Sequence, residues 1–275
     1  MNALPPSAHA LFARLLEDRT GQQIVSGRHW RIDAALRTLA QAHGMNGVEQ
    51  LAVALDGGRN TSLLDALVDV LLNHETYFFR DRTPFELLAD TALPRLAEAR
   101  RHRRLRIWCA GCSTGQEAYS VAMLLAEQPD RWEGWSFDIL GTDVAAATVA
   151  RANEAFYSRF EVQRGLPVQL MLRYFTPEGD AWRAQPELRR LVRFMRHNLL
   201  DPPPGRFDVV LCRNVLLYLA PALRRQVFDR LASAMVPDGA LMLGAGETVI
   251  GQTDAFVPDA GCRGLYRLAA GARAS

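Results

Sequence analysis

The chain has 275 residues, of which 49% are hydrophobic and 23% are charged, and its formal net charge is +2 at pH 7. These values match an ordinary folded protein of one or two domains, so they exclude disordered and fibrous classes and argue against a nucleic-acid-binding chain. No apolar stretch approaches the roughly 20 residues of a spanning helix, and residues 1–14 lack the order of a secretory signal, so we expect a cytoplasmic protein without direct membrane insertion.

The first part of the chain has the pattern of helices. Apolar residues recur at helical spacing from Ala8 to about Leu72. Gly21, Gly44 and Gly57 interrupt this pattern and supply the backbone freedom that a helix end needs. We therefore predict an all-α N-terminal domain at residues 1–78, followed by a linker at 79–104.

Three arginines, Arg28, Arg31 and Arg37, fall near one of these predicted helices. Two interpretations remain open. They form a basic face for an acidic partner, or they are ordinary exposed arginines.

Beyond Leu105, short apolar runs alternate with helical stretches, which is the pattern of a mainly parallel sheet flanked by helices. We predict strands at 106–109, 137–140, 192–195, 207–211, 240–243 and 264–268, and helices at 116–127, 145–153 and 221–235. Residues 174–191 are polar, contain two prolines and lack a long helical pattern. They predict an inserted hairpin in an α/β domain that spans residues 105–275.

The first predicted strand of this domain runs into a glycine turn at 111–115 that precedes a helix. Glycines let the backbone approach a ligand, and the helix start offers unpaired N–H groups, so a nucleotide-like cofactor fits here. The alternative is a turn that only packs a helix on a strand. The spacing G-x-x-x-G differs from the dinucleotide pattern G-x-G-x-x-G and argues against NAD.

Cys109 and Cys112 flank the start of this turn as a C-x-x-C pair. No second Cys or His pair stands at zinc-like spacing, and the four cysteines of the chain are too scattered for a disulfide framework. We therefore predict no metal site.

The second predicted strand of the domain ends in Asp143. In doubly wound sheets ligands bind outside the carboxyl ends of the strands, where an acid after the second strand accepts hydrogen bonds from ribose hydroxyls. The alternative is a residue that caps the next helix.

The fourth predicted strand is followed by Arg213, Asn214 and Tyr218. If the first and fourth strands are neighbours, these side chains face the glycine turn across one crevice. Taken singly, Arg213 could be a surface residue and Tyr218 a core residue.

Six segments together resemble the family of chemotaxis receptor methyltransferases, CheR. They are NHETYFFRD at 73–81, WCAGCSTGQEAYS at 108–120, GTD at 141–143, NLL at 198–200, CRNVLLY at 212–218 and GAGE at 244–247. The resemblance implies a Rossmann-like class I methyltransferase domain with a small β-subdomain insertion, preceded by an all-α N-terminal domain.

The resemblance also implies a cofactor, S-adenosylmethionine, with S-adenosylhomocysteine as the product. The residues that it implies for cofactor binding are His74, Thr76, Arg80, Gly111, Glu117, Asp143, Asn198, Leu199, Arg213 and Asn214. Arg213 and Tyr218 match the residues beside the transferred methyl group. The chain departs from the family pattern in two places: His74 stands where Asn is common, and Gln116 stands where Glu is frequent.

The substrate implied by the resemblance is a glutamate side chain on the cytoplasmic helical bundle of a methyl-accepting chemotaxis receptor. We expect Arg28, Arg31 and Arg37 to help to bind that bundle, and we expect a monomer. Residues 176–185 look shorter than in relatives that bind a receptor's C-terminal pentapeptide, so we expect pentapeptide-independent recognition. Two alternatives are a methyltransferase for another substrate and a cofactor-binding scaffold without turnover.

Overall fold

The computed structural model describes residues 6–24, 29–57, 60–262 and 264–271, with only the backbone described at 6, 7 and 29–31. Its helices are α1 Pro6–Thr20, α2 His29–Ala42, α3 Val48–Leu55, α4 Thr61–Leu71, α5 Thr83–Leu87, α6 Leu93–Glu98, α7 Gln116–Ala126, α8 Ala146–Glu154, α9 Arg159–Gln163, α10 Val168–Tyr174, α11 Pro186–Arg189 and α12 Pro221–Ser233. Its strands are β1 Arg104–Ala110, β2 Ser136–Asp143, β3 Phe156–Ser158, β4 Phe175–Glu178, β5 Ala181–Ala184, β6 Val192–Arg196, β7 Phe207–Cys212, β8 Met235–Leu243, β9 Phe256–Pro258 and β10 Leu265–Leu268.

The predicted N-terminal helices are present as α1–α4, and they bury their apolar faces against one another. Phe12, Leu36, Leu51 and Leu67, one from each helix, are almost completely inaccessible to solvent. Asn60 caps α4, because its side-chain oxygen accepts a hydrogen bond from the Leu63 amide. None of the described helices is both long and apolar enough to cross a bilayer.

The predicted linker is largely helical. It contains α5, one π-helical turn at Leu88–Ala92, and α6. An arginine-rich run at 100–104 follows α6. Its first residue, Arg100, donates to Asp208 and, through both terminal nitrogens, to Asp238 at 2.8 Å. This run therefore contains at least one arginine that ties the linker to the sheet.

The central sheet has the strand order β6-β2-β1-β7-β8-β10-β9 within the described residues. The pairs β6–β2, β2–β1, β1–β7 and β7–β8 are parallel, and β10 is antiparallel to both β8 and β9. Each of the six predicted strands overlaps one of these strands. Only β9 was missed, because three residues ending in a proline carry no periodic signal.

Two apolar cores cover the two faces of this sheet. In β1, Ile107 and Cys109 belong to one core, while Trp108 and Ala110 belong to the other. This alternation follows from the two-residue period of a strand. The α/β class that we predicted is thus confirmed, with helices on both faces of a mostly parallel sheet.

A separate small sheet has the order β3-β5-β4 and is antiparallel. The predicted insertion at 174–191 contains β4 and β5, but its start was placed too late, because β3 at Phe156–Ser158 pairs with β5. Three residues are too few for a strand period to be recognised in the sequence.

Candidate active site

A cleft that is open to solvent lies at the carboxyl ends of β1, β2 and β7. This edge is where doubly wound sheets bind ligands. The residues singled out from the sequence for cofactor binding and for catalysis all line it: His74, Thr76, Arg80, Gly111, Glu117, Asp143, Asn198, Leu199, Arg213, Asn214 and Tyr218. Residues that are far apart along the chain thus meet in one place.

The glycine turn after β1 forms the floor of the cleft. The Gly111 and Cys112 amides donate to the Thr142 carbonyl at 2.8 and 2.9 Å, which ties this turn to the end of β2. Gly111 has φ 78°, and a Cβ atom there would lie 2.5 Å from Cγ2 of Val215. The turn therefore needs glycine for its backbone conformation and for its close contact with the loop after β7.

We expect Gly111→Ala to lower the free energy of unfolding by about 2–4 kcal/mol, the sum of left-handed strain and overpacking. Gly44→Ala is the matched control, since Gly44 has φ 70° and a Cβ added there would meet no heavy atom within 4 Å. It should lose only about 1–2 kcal/mol, from strain alone. Urea unfolding measures both. Equal losses would show that the contact with Val215 is unimportant.

Asp143, at the end of β2, is buried, and both of its carboxylate oxygens accept backbone hydrogen bonds. Oδ2 accepts from the Ser113 amide at 2.9 Å and Oδ1 from the Ala145 amide at 3.1 Å. Burial raises the pKa of Asp143, and these two N–H groups oppose the shift. Helix α8 has Ala145 as its N-cap, so Asp143 does not cap it in the ordinary sense. Each oxygen keeps acceptor capacity for a ligand hydroxyl.

Arg213, after β7, has a side chain that is only 1% exposed. Its Nη1 donates to Glu117 Oε2 at 3.1 Å, and its Nη2 donates to the Arg80 carbonyl at 2.7 Å and to Asp81 Oδ2 at 3.0 Å. Its guanidinium carbon also lies 5.1 Å from the centre of the Phe85 ring. These contacts join three separate parts of the chain at the cleft.

Glu117 lies in the first turn of α7, and its side chain is 13% exposed. Burial raises the pKa of Glu117, and the positive charge of Arg213 opposes that shift. The pair therefore holds a carboxylate at the cleft in a place where water stabilises charge poorly.

Three of the described residues that line the cleft have a buried side-chain atom without a hydrogen-bond partner: Nε2 of His197, Nε of Arg213 and Oδ1 of Asn214. Arg213 Nε is a donor, and Asn214 Oδ1 is an acceptor. Buried polar groups are rarely left unpaired, so this donor and this acceptor fit a polar ligand. Asn214 also has φ 59°, an uncommon conformation for a residue other than glycine.

The segment that carries Arg80 is fixed by two buried phenylalanines. The Phe78 ring packs edge-on against Tyr157 at 5.2 Å, and the Phe79 ring packs against Phe85 at 5.7 Å. Phe79 and Asp81, on either side of Arg80, both have positive φ. Such strain persists only where the surroundings enforce it, and it concentrates at functional sites.

Arg80 itself is half-buried and has fewer protein partners than Arg213. Its Nη1 donates to the Glu75 carbonyl at 2.9 Å, and its guanidinium carbon lies 5.6 Å from the centre of the Tyr77 ring. The guanidinium has five N–H donors, so most remain available to a ligand.

His74 is held between α4 and α8. Its Nε2 lies 2.6 Å from the Asp69 carbonyl oxygen, and its Nδ1 lies 3.2 Å from the Thr148 hydroxyl. A carbonyl only accepts, so Nε2 carries a hydrogen. Both ring nitrogens therefore have protein partners, and the cofactor contact implied for this position stays a prediction.

Asn198 also uses its side chain within the protein. Its Nδ2 donates to the Arg19 carbonyl at 2.9 Å, and its Oδ1 accepts from the Leu200 amide at 3.1 Å. Asn198 thus links the end of α1 to the loop after β6, and its role in cofactor binding stays a prediction.

The turn after α1 covers one side of the cleft. Gln22 forms an antiparallel bridge with Leu219, and the Gln23 amide donates to the Tyr218 carbonyl at 2.8 Å. Farther out, Asp65 of α4 accepts from both terminal nitrogens of Arg196 at 2.6 and 2.8 Å. The N-terminal part of the chain therefore supplies one wall of the cleft at the end of the sheet.

Glu247 has a role that the sequence did not reveal. Its two carboxylate oxygens accept hydrogen bonds from five backbone amides, those of Asn214, Val215, Leu216, Leu217 and Gly244, at 2.7–3.3 Å. It thereby fixes the loop that carries Arg213 and Asn214. The GAGE segment was recognised, but a family motif does not say which atoms it binds.

Of the three arginines assigned to substrate docking, Arg37 has a described side chain, and it is not among the residues that line the cleft. Arg28 lies outside the described residues, as does the side chain of Arg31. Arg37 is half-buried in α2. Their role stays a prediction.

The cysteines of the C-x-x-C pair are free thiols. Cys109 and Cys112 are buried, and burial raises the pKa of each well above its ordinary value. Neither therefore forms a reactive thiolate at neutral pH.

Comparison with known proteins identifies the family. The family model described as "CheR methyltransferase, SAM binding domain" matches residues 74–261. The chain is similar to a chemotaxis protein methyltransferase of Vibrio parahaemolyticus serotype O3:K6, 34% identical over 250 residues that cover 89% of this chain and 90% of the relative. It is similar to chemotaxis protein methyltransferase 1 of Pseudomonas aeruginosa, 34% identical over 245 residues, with 87% and 89% covered. A chemotaxis protein methyltransferase of Listeria innocua serovar 6a is 32% identical over 197 residues, with 71% and 73% covered. The chain therefore belongs to the CheR methyltransferase family and is an S-adenosylmethionine-dependent methyltransferase.

Proposed function

We propose that this protein esterifies glutamate side chains on the cytoplasmic helical bundle of a methyl-accepting chemotaxis receptor. The observation that carries the proposal is that Arg80 and Tyr218, which can contact a carboxylate, line the same cleft as Asp143 and Glu117. The names of its relatives, chemotaxis protein methyltransferases, support this class of substrate.

The chemistry of the cleft fits the cofactor. Asp143 keeps acceptor capacity for ribose hydroxyls, and Glu117 supplies negative charge for a cationic group. Gly111 lines the same cleft. Arg213 Nε and Asn214 Oδ1 supply one more donor and one more acceptor. When bound, S-adenosylmethionine supplies an electrophilic methyl group on a sulfonium sulfur.

The protein's task is to place a carboxylate oxygen in line with that methyl group. A glutamate carboxylate, with an ordinary pKa of about 4.3, is already ionised at neutral pH, so no general base is required. Orientation in a site shielded from water can contribute about 7–11 kcal/mol.

The contacts of Arg213 favour a role other than the one that the resemblance implies. The resemblance matches Arg213 to a residue beside the transferred methyl group. Its terminal nitrogens are already bound to Glu117, Asp81 and the Arg80 carbonyl, and its side chain is buried. We therefore propose that Arg80, which was expected to bind the cofactor and has free donors, binds the substrate carboxylate. Arg213 then positions Glu117 and the Arg80 backbone.

Receptor-containing membranes and S-adenosylmethionine labelled in the methyl group test the proposal. A glutamyl methyl ester releases labelled methanol in base, whereas N-methyl and ether products do not. Base-stable label would favour another substrate. Binding of S-adenosylhomocysteine without any methyl transfer would favour a scaffold.

Docking of the receptor bundle is proposed to involve Arg28, Arg31 and Arg37. We expect Arg37→Glu to raise the KM for receptor about 3–10-fold, because the new carboxylate repels an acidic receptor surface. The salt dependence of KM should become flatter, because less electrostatic attraction remains for salt to screen. The matched control is Arg225→Glu, an exposed arginine of α12. Unchanged kinetics at Arg37, or an equal change at Arg225, would remove Arg37 from the docking surface.

The remaining expectations are part of this proposal. They are a cytoplasmic monomer with domains at 1–78 and 105–275 joined by 79–104, and recognition that does not need a receptor pentapeptide. The compactness of the β4–β5 hairpin, whose turn is at Gly179 and Asp180, supports the last of these.

A further inference from the structure

We infer that Asn73 is a positioning residue for Tyr218. Its side-chain amide donates a hydrogen bond to the phenolic oxygen, and the hydroxyl hydrogen therefore points into the cleft, toward the incoming carboxylate. The inference rests on the proposed function, because it names the partner of that hydrogen as a substrate carboxylate.

The contact joins two distant parts of the chain. Nδ2 of Asn73 donates to the Tyr218 hydroxyl at 2.5 Å, and both residues line the cleft. Asn73 follows the C-cap of α4, Leu72, while Tyr218 ends the 3₁₀ turn Leu216–Tyr218. The hydrogen bond therefore crosses from the N-terminal helices to the loop after β7.

Both partners are held by their backbones. The Tyr218 amide donates to the Val215 carbonyl at 3.1 Å, and the Tyr218 carbonyl accepts from the Gln23 amide at 2.8 Å. On the other side, the Leu72 amide donates to the Val68 carbonyl at 3.1 Å, so the chain enters Asn73 directly from a helix end. The backbone is thus already fixed on both sides, so the hydrogen bond between the two side chains does not require a mobile segment to become ordered.

The chemistry of the two groups fixes the direction of the hydrogen bond. An amide nitrogen of asparagine only donates, whereas a phenolic oxygen both accepts and donates one hydrogen. With the oxygen accepting from Asn73, the Tyr218 hydrogen needs an acceptor elsewhere. No described side chain or carbonyl provides one, which leaves the cleft.

A hydroxyl that donates into the cleft can hold one oxygen of a carboxylate. Arg80, with its free donors at the same cleft, can hold the charge of the same group. Two donors on one carboxylate fix its plane as well as its position, as in-line transfer requires.

The test is a double-mutant cycle on receptor methylation, with calorimetric binding of S-adenosylhomocysteine as the check on fold and cofactor site. We expect Asn73→Ala to lower kcat about 5–20-fold, in line with one lost hydrogen bond at the site, with binding of S-adenosylhomocysteine within about 3-fold. In a Tyr218→Phe background, Asn73→Ala should have no further effect on kcat, because the hydroxyl that it directs is gone.

Two further variants sharpen the result. Asn73→Asp has nearly the same shape but turns the partner into an acceptor, which draws the hydroxyl hydrogen out of the cleft, so its kcat should fall further than that of Asn73→Ala. Asn153→Ala, whose amide bonds only within α8, should keep the wild-type kcat.

The outcomes separate the two claims. If the wild type methylates receptor and the effects at 73 and 218 simply add, the positioning role is overturned while the proposed function stands. If the wild type gives no base-labile methyl groups, the proposed function fails, and the inference fails with it.

Discussion

Arg213→Met is expected to lower the free energy of unfolding by about 3–5 kcal/mol and to abolish measurable methyl transfer. Removing one partner of a buried ion pair leaves the other charge without compensation, and losses of about this size follow. Here the charge left behind is Glu117, whose side chain is 13% exposed. The Arg80 carbonyl and Asp81 also lose their donor. Urea unfolding and the methanol-release assay measure the two effects.

The origin of this loss can be isolated with a second variant. Glu117→Gln in the Arg213→Met background removes the uncompensated carboxylate, so the double variant should be more stable than Arg213→Met alone. Arg225→Met is the matched control at an exposed position of α12, and it should stay within about 0.5 kcal/mol of wild type. A double variant that is no more stable than Arg213→Met would mean that Glu117 is not the charge left unpaired.

The same variant should have a distinctive pH dependence. Burial already raises the pKa of Glu117, and the positive charge of Arg213 opposes that rise. Without Arg213 the pKa of Glu117 should therefore rise further in the folded state. The folded chain then binds a proton that the unfolded chain releases, so the stability of Arg213→Met should increase as the pH falls from neutrality toward the pKa of an unfolded glutamate. This gain should disappear when Glu117 is also replaced.

The positions of the site residues could be predicted from the sequence, but the partners of their side chains could not. Asp143 and Arg213 were placed correctly because each stands at the end of an apolar strand, and parallel strands bring their carboxyl ends to one edge. The inward direction of the Arg213 guanidinium depends on Glu117 and Asp81, which are far away along the chain. No local sequence pattern predicts a contact between side chains so far apart along the chain.

Short strands and short helices were not predicted from the sequence, for a related reason. Strands β3 and β9 have three residues each, so their identity depends on the strands beside them rather than on a period of their own. The helices α5 and α6 were taken as linker, although both have a proline near the first turn, where it is tolerated. That signal was present in the sequence, but the two helices have only five and six residues, too few for a helical period to be recognised.

Glu247→Gln is expected to lower the free energy of unfolding by about 2–4 kcal/mol, although it changes only one oxygen to nitrogen. Oε2 accepts from the Asn214 and Gly244 amides, and Oε1 from three further amides of the same loop. The single side-chain oxygen of glutamine can accept hydrogen bonds from only one of these two sets of amides. Its NH₂ group then faces the N–H groups of the other set, donor against donor, and the loop after β7 must move. Urea unfolding measures the loss, with Glu133→Gln as the control at an exposed acid.

The displaced loop should also weaken cofactor binding, because Arg213 and Asn214 line the cleft. We expect the Kd for S-adenosylhomocysteine to rise about 10-fold or more in Glu247→Gln, equivalent to about 1.4 kcal/mol, and to stay unchanged in Glu133→Gln. Glu247 is not among the residues that line the cleft, and its five amide contacts lead us to expect that the effect passes mainly through the loop. A variant that is destabilised but binds S-adenosylhomocysteine as wild type does would show that Glu247 supports the fold without shaping the site.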